Sequence, residues 1–205
     1  MEESENNDFW MTTNRIETLV DGIFAIAMTL LVLSLAVPEI AGPLSETIVR
    51  SSLYDLIPKF YVFILSFVLL AVFWSMHHRA FHMIKKADNV FLWLNIIWLL
   101  FIVMVPFTQS LIGEYGDFAI SHFIYNLNMV GIGLFISITW YYARKRNLVD
   151  ENANPNRISR MTRGSLIFLL VAVLAVILTF IIPGWTSLAY FLILPLDYIA
   201  DRPLK

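Results

Sequence analysis

Stretches of about twenty apolar residues, separated by short polar joints, recur along this chain and leave it few folds to choose from. One of them, Phe91 to Phe107, carries apolar side chains on every face. Crossing the roughly 30 Å hydrocarbon core of a bilayer takes about 20 residues of helix, the length these runs offer. Backbone amides have no water to bond in lipid, so a spanning segment is a helix or a strand of a closed barrel. Barrel strands alternate apolar and polar side chains over roughly ten residues, and these runs do not. Of the 205 residues 59% are hydrophobic and only 15% charged, with a mean hydropathy of +0.71, too few charges to solvate a water-exposed surface. The expected fold class is all-α: a polytopic membrane bundle of six transmembrane helices.

The spans are expected at about 16–37, 53–76, 90–112, 118–142, 166–182 and 185–199, in one membrane domain over 15–200. Residues 1–14 form a polar arm and 201–205 a tail. Pro38 stops the first span, and Pro183-Gly184 turns the fifth into a short sixth. The acidic start, with no basic residue before Arg15, has the wrong flank for a cleaved signal peptide, so the first span reads as a retained helix. Basic residues in short loops stay in the cytoplasm. With six spans and both termini inside, 12 of the 14 Lys and Arg residues fall on the cytoplasmic side, leaving Arg50 and Lys59 opposite. Trp74, Trp140, Tyr141 and Tyr142 are placed for an interfacial aromatic belt. The three-span halves share no repeat, so a symmetric path for a solute needs several copies of the chain.

Asp21 is the deepest acid of the first helix, about 9 Å of rise beyond Arg15. A carboxylate at that depth calls for a partner. Arg15, six residues away, projects from a different face, so the partner is expected from the second span, which returns carrying Trp74, His77, His78 and Arg79. A cluster of Asp21 with His77 or Arg79 would fix the first helix against the second. Further along, Ile26, Leu30 and Leu33 fall at i, i+4 and i+7, one stripe of the helix, with Thr29 beside them. Such a stripe by itself fits a lipid-facing or packing surface equally well.

The run Arg15-Ile-Glu-Thr-Leu19-Val20-Asp21-Gly22 and the apolar turns after it resemble the signature first helix of the transmembrane protein 175 family, endolysosomal potassium channels with prokaryotic relatives. The family motif is Arg, three residues, then Phe-Ser-Asp. Here Leu19-Val20 replaces Phe-Ser, and the serine hydroxyl is missing. The Trp74 to Arg79 segment, Trp-Ser-Met-His-His-Arg, and the run ending Val105-Pro106-Phe107-Thr108 are similar to the family's second and third helices. The resemblance implies a homotetramer of single-repeat six-helix chains in the cell membrane, with the first helix lining the pore. It implies a hydrophobic constriction at Ile26, Leu30 and Leu33, a polar layer at Thr29 unless that hydroxyl bonds its own backbone instead, and as partners the lipid bilayer and monovalent cations, with potassium permeant. No Thr-Val-Gly-Tyr-Gly loop is present to build a carbonyl filter, so selection must work otherwise. A secondary transporter or a non-conducting scaffold is the rival reading, since no carboxylate lies at mid-membrane depth.

Other chemistry finds little support. No cysteine is present, which removes disulfides and thiolates. His78 and His82 stand one helical turn apart near His77, but three histidines without carboxylates or a fourth nearby imidazole make a poor metal site, and no cofactor is expected. Nucleophile-elbow, zincin and P-loop patterns are absent, so nothing nominates an enzyme. The basic run Arg144-Lys145-Arg146 with Arg157, Arg160 and Arg163 reads as a topology signal at an anionic leaflet, not a nucleic-acid site. Pro106 is expected to kink the third span; Glu114 and Asp117, in an outward loop, are placed either to attract cations to a vestibule or merely to be solvated.

Overall fold

The computed structural model of the chain describes residues 13–40 and 42–193. Within them the fold is all-helical. Six α-helices run in order: α1 (Thr13–Leu30), α2 (Glu46–Tyr54), α3 (Ile57–Phe81), α4 (Asn89–Tyr115), α5 (Ala119–Lys145) and α6 (Pro155–Thr179). Five of these, α1 and α3 to α6, are long and apolar enough to cross a membrane. The expected sixth span at 185–199 begins instead as a 3-10 run, Pro183–Leu192, and 194–199 lies outside the described residues, as do most of the N-terminal arm and the tail.

Helix ends depart from hydropathy where local chemistry decides them. α1 already starts at Thr13 and tightens into a 3-10 turn, Leu31–Ser34, short of Val37. The residue before a proline is pushed out of the helical region, so the chain leaves the helix ahead of Pro38. The second span starts at Ile57, not Leu53, because α2 is a separate amphipathic helix capped by Ser45, whose side chain accepts from the Ile48 amide. Pro58, at home only in a first turn, opens α3. That helix runs on through His77, His78 and Arg79 to Phe81. α6 begins eleven residues before the apolar run does, since Asn154 caps the Asn156 amide at 2.9 Å and Pro155 presets the first turn.

α4 stays helical through Pro106. The proline denies Ile102 its donor. One residue earlier, the Phe101 carbonyl receives Asn128 Nδ2 from α5 at 3.1 Å. α5 sits at the centre: 56% of its membrane window is buried, against 28% for α1. It packs between α4 and α6 through glycines. A Cβ on Gly131 would stand 2.4 Å from the Phe101 ring, and one on Gly133 would meet Phe168 and the Leu169 backbone at 2.9 and 3.1 Å. α5 closes with Asn147 in the left-handed region (φ 54°), the Leu148 amide bonding the Ala143 carbonyl at 2.9 Å.

The two strongly basic loops meet at one end of the bundle. Ile84 and Val149 form an antiparallel bridge, Lys85 N bonds Leu148 O at 3.0 Å, and Asp150 N bonds Met83 O at 2.7 Å. Lys85 Nζ adds an ion pair to Asp150 at 2.8 Å, and that hydrogen bond holds the Asp150 carboxyl below its usual range. Tyr142 reaches the α4 cap by donating to Asp88 at 2.7 Å. At the opposite end Lys59 pairs with Glu114 at 2.5 Å, so one of the two acids read as able to attract cations already has a cationic partner.

Candidate functional site

α1 divides into two faces. Ile16, Val20, Phe24, Ala27 and Leu31 are buried against α3 and α4, with Phe24 5.6 Å from the Trp98 ring. The opposite face is largely uncovered by the described residues: Ile26 is 61%, Leu30 41% and Leu33 71% exposed, and Gly22 and Thr29 are exposed with them. The central row of this face is Gly22, Ile26, Thr29 and Leu33, at i, i+4, i+7 and i+11, with Leu30 on its flank. Thr29 donates its hydroxyl to the Ile26 carbonyl at 2.8 Å, which leaves the exposed oxygen able to accept.

The helix is anchored at its basic end by α3. Asp21 accepts from Trp74 Nε1 at 2.8 Å, and Glu17 one turn earlier pairs with His78 Nδ1 at 2.8 Å. Trp74 and His78 are stacked, centroids 5.6 Å apart and planes 14° from parallel, so the two contacts brace one another. His78 continues to His82, Nε2 to Nε2 at 3.1 Å.

The partners are therefore Trp74 and His78, correcting the expected pairing of Asp21 with His77 or Arg79. His77, 4% exposed, turns into the core, where it bonds Asn95 at 3.1 Å and stacks on Trp98 and Phe81. Consecutive helical residues point about 100° apart, so the two histidines serve different interfaces and do not share one site. Arg79 Nε donates to the Ser75 carbonyl at 3.1 Å, and no ion pair joins Arg15 to Asp21 among the described residues. No group of three or more metal-ligating side chains occurs among them either.

The aromatic belt is also redistributed. Trp140 is buried and donates to Thr162 Oγ1 at 2.9 Å, Trp74 bonds Asp21 and Tyr142 bonds Asp88, while Tyr141 and Trp74 are the two of the four that remain exposed. Glu17 went unremarked as an anchor in the sequence. Its spacing from Asp21, one helical turn on the same face, was the available signal.

Comparisons with known proteins bear on this arrangement. Residues 15–106, from Arg15 through the α4 proline, match the family model of the endosomal/lysosomal potassium channel TMEM175. A potassium channel of Chamaesiphon minutus is 32% identical over 156 residues, covering 74% of this chain and 76% of that one. The crystal structure of a lysosomal potassium-selective channel TMEM175 homolog from the same organism superposes with a TM-score of 0.76, at 28% identity, over 93% of this chain and 98% of that one. A human endosomal/lysosomal proton channel, TMEM175, is 24% identical over 131 residues, 64% of this chain and 26% of its own length. Sequence identity, near-complete structural overlap and a match centred on the helices that carry the anchor agree, and this chain belongs to the TMEM175 channel family.

Proposed function

We propose that four copies of this chain assemble around a shared axis as a potassium-permeable channel, with α1 lining the pore. The observation that carries this reading is the outward face of α1, where Ile26 and Leu33 stand 61% and 71% exposed while the opposite face is packed into the subunit. The potassium channel of Chamaesiphon minutus supports the choice of ion. Four such helices bring Ile26, Leu30 and Leu33 into stacked apolar rings. Rings of this kind expel water when narrow and conduct when widened, so they act as a gate and constriction without peptide oxygens. Thr29 contributes an exposed hydroxyl oxygen still able to accept, the polarity a dehydrating cation needs. Trp74 and His78 hold the helix in register at its basic end, the end that the distribution of Lys and Arg favours for the cytoplasmic side.

Flux into liposomes tests the reading. Purified oligomer should carry potassium down its gradient without a coupled solute and without saturation at millimolar levels. A pH-sensitive dye in the same vesicles separates potassium from proton conduction, a comparison motivated by the human relative. Ile26→Asn wets the constriction and should raise flux several-fold. Intact oligomers with no flux, or saturable coupled flux, would replace the channel by a scaffold or a transporter.

A further inference from the structure

Away from α1, the basic end of the bundle holds a cavity of ≈ 350 Å³ between the last turns of α3 and the first turns of α6. That is within the size range of small-ligand pockets, about 300–1,000 Å³. Its lining is layered along the bundle axis. On α3, Arg79 sits at the end of the helix, with Met76 and Val72 one and two turns deeper; on α6, Arg157 and Arg160 stand in the opening turns, with Ile167 and Phe168 deeper. Both walls thus pass from guanidinium to hydrocarbon in the same direction. A bilayer passes from phosphate to acyl chain over the same few ångströms.

The charges are available to an outside ligand. Arg79 uses its Nε on the Ser75 carbonyl, and the two Nη groups extend beyond that bond. Arg157 is exposed on the first turn of α6. Arg160 has an interaction of its own and reinforces the field without being required as a ligand. We infer that this cavity binds one anionic phospholipid per subunit, its phosphate between Arg79 and Arg157 and an acyl chain along Val72, Met76 and Ile167. Guanidinium is suited to this task because its planar donors grip phosphate oxygens in pairs. A free phosphate would leave the apolar wall unused, and a zwitterionic lipid would bring a cation against two arginines. The site is independent of conduction through α1, so it stands or falls apart from the pore reading.

Native mass spectrometry of the full chain in detergent, titrated with phosphatidylglycerol or phosphatidylcholine, tests it. Phosphatidylglycerol should remain bound at one molecule per subunit where phosphatidylcholine is lost. The Arg79→Gln/Arg157→Gln double variant should weaken phosphatidylglycerol roughly 30-fold, at about a fivefold loss per arginine, and leave phosphatidylcholine unchanged. A diazirine-bearing phosphatidylglycerol should label wild-type peptides covering residues 72–83 and 157–168. This labelling decides the matter if the double variant fails to assemble. Equal retention of both lipids, labels confined to other helices, or displacement by equimolar inorganic phosphate would each overturn the assignment.

Discussion

Trp74 sets where α1 sits, because its indole N–H is the donor that Asp21 receives and its ring face supports His78. Trp74→Phe keeps an aromatic face, though a smaller one than indole, and deletes the 2.8 Å bond. On partly exposed ground the loss should be about 1 kcal/mol, read as a lower thermal midpoint in a fixed detergent. Asp21→Ala removes the acceptor and should lower the yield of assembled oligomer before it alters ion selectivity. Normal assembly with selectivity abolished would assign Asp21 to the ion path instead. That Asp21 needs a partner from α3 was legible in its depth and in the return of Trp74 to Arg79 to the same end. Which residue answers depends on the rotation of α3 about its axis, where one position changes the facing by about 100°. Hydropathy does not record that rotation, and so His77 and Arg79 looked eligible where Trp74 in fact meets Asp21.

Helices as units followed the apolar runs closely, with α4 and α5 within a few residues of expectation. Departures gathered where caps and prolines act. α6 extends through a polar segment because Asn154 and Pro155 start it, and polar turns beyond the bilayer carry no hydropathy signal. The tight seams of α5 were equally silent, since a glycine shows no sign of which neighbour it must admit. Gly131→Val places methyls where the Phe101 ring stands and should destabilise by about 1–3 kcal/mol, measurable as a fall in thermal midpoint. Asn147→Val should cost about 1 kcal/mol, since a β-branched residue resists the left-handed region, whereas Asn147→Gly should be close to neutral.

At the scale of the molecule, the helix with the polar anchor is the least covered of the five membrane-length helices, 28% of its window buried against 33% or more for the others, so its exposed face is the first to test for contact between copies. The chain has no cysteine, so single introduced thiols report contacts cleanly. Leu33→Cys should crosslink copy to copy in the membrane under oxidation, while Leu100→Cys, 60% exposed on α4 in the wild type, should not. Equal crosslinking at both positions would remove the shared axis from α1.

By itself the sequence determined the solvent, the helical class and the clustering of charge. These follow from transfer energies summed over many residues, which no single contact reverses. Family membership was legible too, in the spacing of Arg15, Asp21 and the Trp74 segment. Only the tertiary structure decided which histidine meets α1, that Glu114 is paired, and that Arg79 and Arg157 face one cavity across two helices. Those outcomes turn on helix rotation and close packing, and both are settled by which surfaces fit together once the chain has folded.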